Sequence, residues 1–171
     1  LEESVKYFKK ASILGNPDAM SNYGYMLSRG EGVEVDYEEA IEYYLKAIEG
    51  GSREALAFYG YALEHGEGVE TNKEEAIKYY KMSIEKGCSE GMLFYGKMLF
   101  NNESESENKD EWLKYIKLSI DEENDDAMYF YATLLDKGDR IAANKDEAMR
   151  YYKMASEKGN KEAKKFLASI A

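Results

Sequence analysis

Cysteine, proline and histidine are nearly missing from this 171-residue sequence, which holds one of each. The single Cys88 cannot form an internal disulfide, which suits a reducing compartment and favours a cytoplasmic protein. No His/Cys/Asp cluster has metal-ligand spacing and no nucleophile stands beside an evident base, so we expect no metal, no cofactor and no catalysis. The one histidine, His65, falls at a predicted helix end, where we expect an exposed surface residue.

Long apolar runs and an excess of positive charge are also missing. No run approaches the roughly 20 apolar residues of a membrane span, and no signal-peptide pattern follows Leu1. The formal net charge is -11, whereas nucleic acids and anionic membranes both require a basic surface. We therefore expect no nucleic acid, no membrane insertion, a protein or peptide partner of basic character, and a monomer.

What the sequence does contain is a repeat of 36 residues. Segments 16–51, 52–87, 88–123 and 124–159 align without an insertion, 1–15 matches the second half of a unit, and 160–171 matches the first half. We predict one array over 1–171, with 1–15 as the second helix of a truncated repeat and 160–171 as a C-terminal capping helix. Lys164 and Lys165 stand where a further repeat would dock, so we expect the array to end near Ala171 and to continue upstream of Leu1.

Each copy predicts two helices. The first begins after Asn16, Ser52, Cys88, Asn124 or Asn160 and ends at Gly30, Gly66 or Gly138, where glycine permits a left-handed cap. The second begins after Asp36, Asn72, Asn108 or Asn144, each followed three residues later by a glutamate, which is the spacing of a capping box. These glutamates are therefore predicted to cap helices.

The pattern resembles a known repeat family. Its first full copy contains Tyr23-Gly24, Leu27, Gly30-Glu31-Gly32-Val33, Asp36, Ala40, Tyr43-Tyr44, Lys46-Ala47 and Gly51. This is similar to the Sel-1-like repeat, a relative of the tetratricopeptide repeat. The resemblance implies an all-α fold, a right-handed α-solenoid of antiparallel helix pairs that acts as a non-catalytic scaffold or adaptor in settings such as signalling. A cysteine-rich branch with β-lactamase-like activity is not matched, because that branch carries a disulfide in each repeat.

Two functions follow from this resemblance. We expect a scaffold that binds a partner segment in a concave groove, and the alternative is a regulatory arm of a larger signalling enzyme such as a protein kinase. The predicted groove residues lie opposite the apolar stripe of the first helices, and Ser21, Ala57 and Leu93 are expected to point into the groove with them. They are Asn22, Tyr25, Phe58, Tyr61, Phe94, Lys97, Tyr129, Phe130 and Thr133. The phenylalanines could instead pack between repeats, and the pattern does not separate groove from core.

The third copy departs from the others in the turn between its helices. Residues 100–112 read FNNESESENKDEW, without the glycines and valine of the first two copies. Ser104 and Ser106 stand among glutamates and are candidate phosphorylation sites, although a solvated turn accounts for them equally. Trp112 replaces an alanine, which predicts a repacked third copy. Cys88, in a position for a helix cap, is either a reactive thiol or a substitute for serine.

Overall fold

The computed structural model describes residues 2–102 and 110–170. Within these ranges the chain forms ten α-helices and no strand. The helices are α1 (Glu2–Ile13), α2 (Pro17–Arg29), α3 (Tyr37–Glu49), α4 (Arg53–His65), α5 (Lys73–Glu85), α6 (Ser89–Asn101), α7 (Glu111–Asp121), α8 (Asp125–Lys137), α9 (Lys145–Lys158) and α10 (Lys161–Ser169). The all-α repeat fold expected from the sequence is confirmed.

The chain divides into two compact units. Unit 1 is Leu1–Tyr95 and unit 2 is Gly96–Ala171, with the division falling inside α6. In unit 1, α2 packs on α1, α3 and α4, and α4 packs on α3 and α5; in unit 2, α8 packs on α7 and α9, and α9 packs on α10. The single array over 1–171 stays a prediction.

The predicted caps form at most helix ends. Asn16, Ser52, Asn124 and Asn160 accept hydrogen bonds from backbone N–H groups three residues on, as do Asp36, Asn72 and Asn144. Gly30, Gly66 and Gly138 adopt left-handed conformations with φ of 67°, 75° and 69°. Local polar residues and glycines therefore set these helix bounds.

Small residues allow the two helices of a repeat to approach closely. A Cβ atom on Gly24 would lie 2.8 Å from the ring of Tyr44, and one on Gly60 would lie 2.9 Å from the ring of Tyr80. Both tyrosines are buried. A glycine at this position therefore makes room for a large ring from the second helix.

A second pair of tyrosines joins the two helices within a repeat. Tyr23 and Tyr43 meet edge to face with ring centroids 4.9 Å apart, and the equivalent pairs Tyr59–Tyr79 and Tyr131–Tyr151 are 4.8 and 5.0 Å apart. Such edge-to-face contacts contribute about 0.5–1.5 kcal/mol beyond area burial. The repeated sequence thus repeats its aromatic packing.

The third repeat departs from the predicted cap. Asn108 lies outside the described residues, and α7 begins at Glu111 with Asp110 as its N-cap residue, whose side chain makes no capping hydrogen bond. Helix α7 therefore begins later than the predicted start after Asn108, whereas the predicted contact between Asn108 and Glu111 lies outside the described residues. Trp112 is buried and meets Phe100 edge to face at 5.0 Å, which confirms the expected repacking.

Candidate functional site

Four half-buried rings form a contiguous surface on unit 1, here called the aromatic face: Tyr25, Phe58, Tyr61 and Phe94. The ring of Phe58 lies 4.9 Å from Tyr25 and 6.3 Å from Phe94, and Phe94 lies 5.1 Å from Tyr61. Helices α2, α4 and α6 supply these residues from equivalent positions, so the repeat itself brings the rings together. Each ring is partly covered by its neighbours and partly open to solvent.

The phenylalanines of this face also join successive repeats. Phe58 lies 5.7 Å from the buried Tyr44, and Phe94 lies 6.2 Å from the buried Tyr80. Each phenylalanine therefore rests on both helices of the preceding repeat. The sequence left open whether the phenylalanines lie in the groove or in the core. In the structure, each of these two rings has an inner side that packs on other rings and an outer side that is accessible.

A cation borders the aromatic face. The Arg29 guanidinium carbon lies 5.7 Å from the Tyr25 ring centroid and 5.0 Å from that of Tyr61, which are cation–π distances. The ring of Tyr61 is also stacked on His65 at 4.0 Å. His65 is exposed, as expected for a helix end. Arg29 was not among the residues predicted from the sequence, because its column also holds His, Asn and Lys.

The remaining predicted residues of unit 1 define the limits of this surface. Asn22 is exposed, and its side-chain amide donates a hydrogen bond to the Asp18 carbonyl oxygen at 2.9 Å. Ser21, Ala57 and Leu93 are buried, so the expectation that they line the groove is wrong. Each of these residues directly precedes a predicted groove residue. The turn of the helix between the two positions points its side chain into the packing between helices.

The concavity beside the aromatic face is small. It is lined by residues of α2, α3 and α4 together with Glu67 and Phe94, and its volume is about 10 Å³. That is close to the space needed for one water molecule. A small-molecule ligand would require several hundred Å³, so the rings serve better as a surface than as a pocket.

The predicted residues of unit 2 form separate contacts. Lys97 Nζ lies 5.1 Å from the Phe130 ring centroid, and that ring meets Phe100 at 5.5 Å. Tyr129 lies 5.7 Å from the buried Tyr152, and the Thr133 hydroxyl donates to the Phe130 carbonyl oxygen at 2.7 Å. Arg140 makes a cation–π contact with Phe100, with its guanidinium carbon 4.0 Å from the ring centroid. Lys97 and Phe130 are thus brought together, while the Thr133 hydroxyl bonds within its own helix.

The hydroxyls of Tyr44 and Tyr80 make partly buried polar contacts that the sequence did not predict. The Tyr80 hydroxyl donates to a Glu64 carboxylate oxygen at 2.7 Å, and the equivalent Tyr44 hydroxyl lies 3.1 Å from the Ser28 hydroxyl. Burial raises the pKa of Tyr80, and the neighbouring Glu64 carboxylate raises it further. Tyr80 therefore remains protonated and serves as a hydrogen-bond donor.

The sequence columns contain a trace of this contact. The position of Ser28 and Glu64 is Phe100 in the third copy, and the position of Tyr44 and Tyr80 is Ile116. Both become apolar in the same repeat. In the fourth copy the pair is polar again, and burial followed by the Asp136 carboxylate raises the pKa of Tyr152 to about 12. Comparing the two columns would have predicted the hydrogen bond.

Cys88 is a structural residue. Its side chain is fully buried and its thiol donates to a Glu90 carboxylate oxygen at 3.1 Å. Burial, together with the Glu90 charge, raises the pKa of the thiol to about 11. The thiolate is the reactive form, so burial and the raised pKa favour the substitution for serine over a reactive thiol.

Three further predictions concern absences or fall outside the structure. In the described part of the chain, no group of three or more His, Cys, Asp or Glu residues could hold a metal ion. Among the same residues, no helix is both long and apolar enough for a membrane span. Ser104 and Ser106 lie outside the described residues.

A comparison with protein-family profiles identifies the repeat. The Sel1 repeat matches residues 1–16, 17–52, 53–88 and 125–160. The chain belongs to the Sel1 repeat family. Members of this family are generally non-catalytic repeat scaffolds that mediate protein–protein interactions. The third copy is absent from the matched segments, in agreement with its missing glycines and its buried Trp112. A search of curated protein sequences gives no match.

Solved structures share the Sel1 fold. A Sel1 repeat protein from Oxalobacter formigenes superposes with a TM-score of 0.67 at 24% identity, covering 96% of this chain and 67% of its own. A protective antigen of uropathogenic Escherichia coli has a TM-score of 0.59 at 27% identity, and the match covers 99% of this chain but 36% of the antigen. An immunity protein from Pseudomonas aeruginosa has a TM-score of 0.69 at 21% identity, with 93% and 59% covered. The chain thus spans about a third of the antigen's length.

Proposed function

We propose that this Sel1 repeat chain is a protein-interaction scaffold and that the aromatic face of unit 1 is its binding surface. The supporting observation is the row of half-buried rings on successive first helices, Tyr25, Phe58, Tyr61 and Phe94. Aromatic side chains supply much of the binding energy in many interfaces, since they offer a large contact area at low entropic cost. The inner contacts of the rings hold them in place before a partner arrives.

The partner is an extended peptide or an amphipathic helix of basic character. Rings contributed by three successive repeats suit a segment that places apolar side chains at regular intervals. The net charge of -11 favours association with a segment rich in Lys or Arg. Arg29, beside Tyr25 and Tyr61, is a local exception to this negative charge. Its guanidinium would donate hydrogen bonds to a carboxylate or carbonyl oxygen of the partner.

The test compares two variants that each lose one aromatic ring, on opposite sides of α4. Tyr61→Ala removes a ring of the aromatic face, and Tyr59→Ala removes the half-buried ring that packs on Tyr79 within the repeat. Immobilised wild-type chain and both variants are used to capture proteins, which are then identified by mass spectrometry. We expect a partner that the wild type and Tyr59→Ala retain and that Tyr61→Ala loses.

Thermal unfolding of the same variants provides the control. Tyr61→Ala should keep a melting temperature close to that of Tyr59→Ala, because both rings are half-buried. Equal capture by all three proteins would rule out the aromatic face as the binding surface, as would a loss of capture that follows melting temperature alone.

A further inference from the structure

Unit 2 contains an open concavity that the aromatic face does not involve. It is lined by residues of α7, α8 and α9 and by Glu123, and it has a volume of about 630 Å³. Its apolar lining consists of Ile120 from α7, Met128 from α8, and Tyr151 and Met154 from α9. This volume is within the range that accommodates several side chains of a ligand.

The apolar lining combines a fixed floor with an adaptable wall. Met128 is buried, and the Tyr151 ring is held edge to face against Tyr131 at 5.0 Å. Met154, by contrast, has 39% of its surface exposed although it is a large apolar residue. Methionine side chains adjust to different apolar partners because they are unbranched and polarisable. The concavity can therefore seat an apolar side chain supplied by another molecule.

The polar rim of the concavity is acidic. Asp121, Glu123, Glu157 and Lys158 line it, and Lys158 Nζ lies 2.8 Å from a Glu123 carboxylate oxygen. That ion pair balances one of the three carboxylates. Asp121 and Glu157 then leave the rim with net negative charge, which attracts cations from a partner.

The helix ends reinforce this negative potential. Asp121 is the last residue of α7, and Glu157 lies in the last turn of α9. The C-terminus of a helix carries a partial negative charge equivalent to about half an elementary charge, and cations are stabilised there. Two helix C-termini and two unbalanced carboxylates therefore face the same open volume.

We infer that this concavity of unit 2 binds a basic protein segment in which an apolar anchor residue is flanked by Lys or Arg. The anchor packs on Met128, Tyr151 and Met154, and the flanking cations pair with Asp121 and Glu157. The surface shares no residue with the aromatic face, so this inference does not rest on the proposed function. It gives the chain a second interaction surface with its own chemistry.

The probe is a fluorescein-labelled peptide with two leucines between pairs of lysines, acetyl-Gly-Lys-Lys-Leu-Leu-Lys-Lys-Gly. Fluorescence anisotropy with the whole chain measures its affinity, beside one peptide with Glu in place of Lys and another with Ser in place of Leu. We expect the first peptide to bind, with an affinity that falls as salt is added, and both altered peptides to bind at least about tenfold more weakly. Equal binding of the leucine and serine peptides would overturn the apolar anchor.

Matched variants locate the binding. Asp121→Asn with Glu157→Gln removes the rim charges, and Glu49→Gln with Glu85→Gln removes the two equivalent charges of unit 1. The unit 2 double variant should weaken peptide binding about tenfold, as expected from two lost charge pairs. The unit 1 double variant should weaken it less than about twofold. Met154→Ser should also weaken it, and Met82→Ser, at the same repeat position, should not. Circular dichroism checks that all variants remain folded.

Three outcomes would refute the inference. Equal weakening by both charge pairs would mean that the peptide responds to net charge alone. Unchanged affinity in the unit 2 variants would place the peptide elsewhere. Sedimentation that shows the wild type self-associating, and the Asp121→Asn/Glu157→Gln variant not, would assign the surface to a second copy of the chain.

Discussion

At the scale of single residues, Tyr44 and Tyr80 occupy the same repeat position but bond to different partners. Tyr80 donates to the Glu64 carboxylate at 2.7 Å, whereas Tyr44 lies 3.1 Å from Ser28, whose hydroxyl also bonds to the Tyr25 carbonyl oxygen at 3.0 Å. We expect Tyr80→Phe to lower the free energy of unfolding by about 1–3 kcal/mol and Tyr44→Phe by about 0.5–1.5 kcal/mol, because only the first leaves a charged group without its donor. Urea denaturation measures both, and an equal loss would contradict this reading.

At the scale of elements, the two caps at Asn72 and Asp110 differ in one hydrogen bond. The Asn72 side chain accepts from the Glu75 N–H at 3.0 Å at the start of α5, and the Asp110 side chain makes no such bond at the start of α7. We expect Asn72→Ala to lower the free energy of unfolding by about 1 kcal/mol and Asp110→Ala to cost less than half of that. Chemical denaturation of the two variants checks the difference, and a larger cost for Asp110→Ala would show that the cap forms in solution.

At the scale of the whole molecule, the helices that pack together are mostly neighbours in sequence. Helix α4 contacts α2, α3 and α5, and Leu56 on α4 is 2% exposed. We expect Leu56→Ala to lower stability by about 2–5 kcal/mol and to accelerate amide hydrogen exchange in α3 to α5 more than in α8 and α9. Met128→Ala, at the same repeat position in unit 2, should reverse the distribution. Uniform acceleration along the chain would show that it unfolds as one cooperative unit.

Most of the fold could be predicted from the sequence because its determinants are local. Asn16 and Asp36 cap helices with their own side chains, and Gly30 takes the left-handed conformation that ends one. These effects act within a few residues, so a period of 36 residues repeats them at predictable places. The third copy was harder to predict because its turn lacks the glycines of the first two copies, and the Asp110 side chain makes no capping hydrogen bond at the start of α7.

The candidate site could be predicted only in part. Phe58 and Phe94 were identified by their columns, and the structure shows both an inner packed side and an outer accessible side. Ser21 and Leu93 were placed one position too far toward the surface, because a helix turns 100° per residue and the edge of a buried stripe is not marked in a sequence. Arg29 was missed because its column also holds His, Asn and Lys.

The sequence by itself determined the family, the helix pairs and their caps, because each depends on residues close together in the chain and repeated in register. The tertiary structure alone decided which aromatic faces remain accessible, that the Cys88 thiol is buried, and where Asp121 and Glu157 border one open volume with Met154. Those properties depend on groups from different helices meeting across the packing, and the pattern along one helix does not specify the neighbour that will cover it.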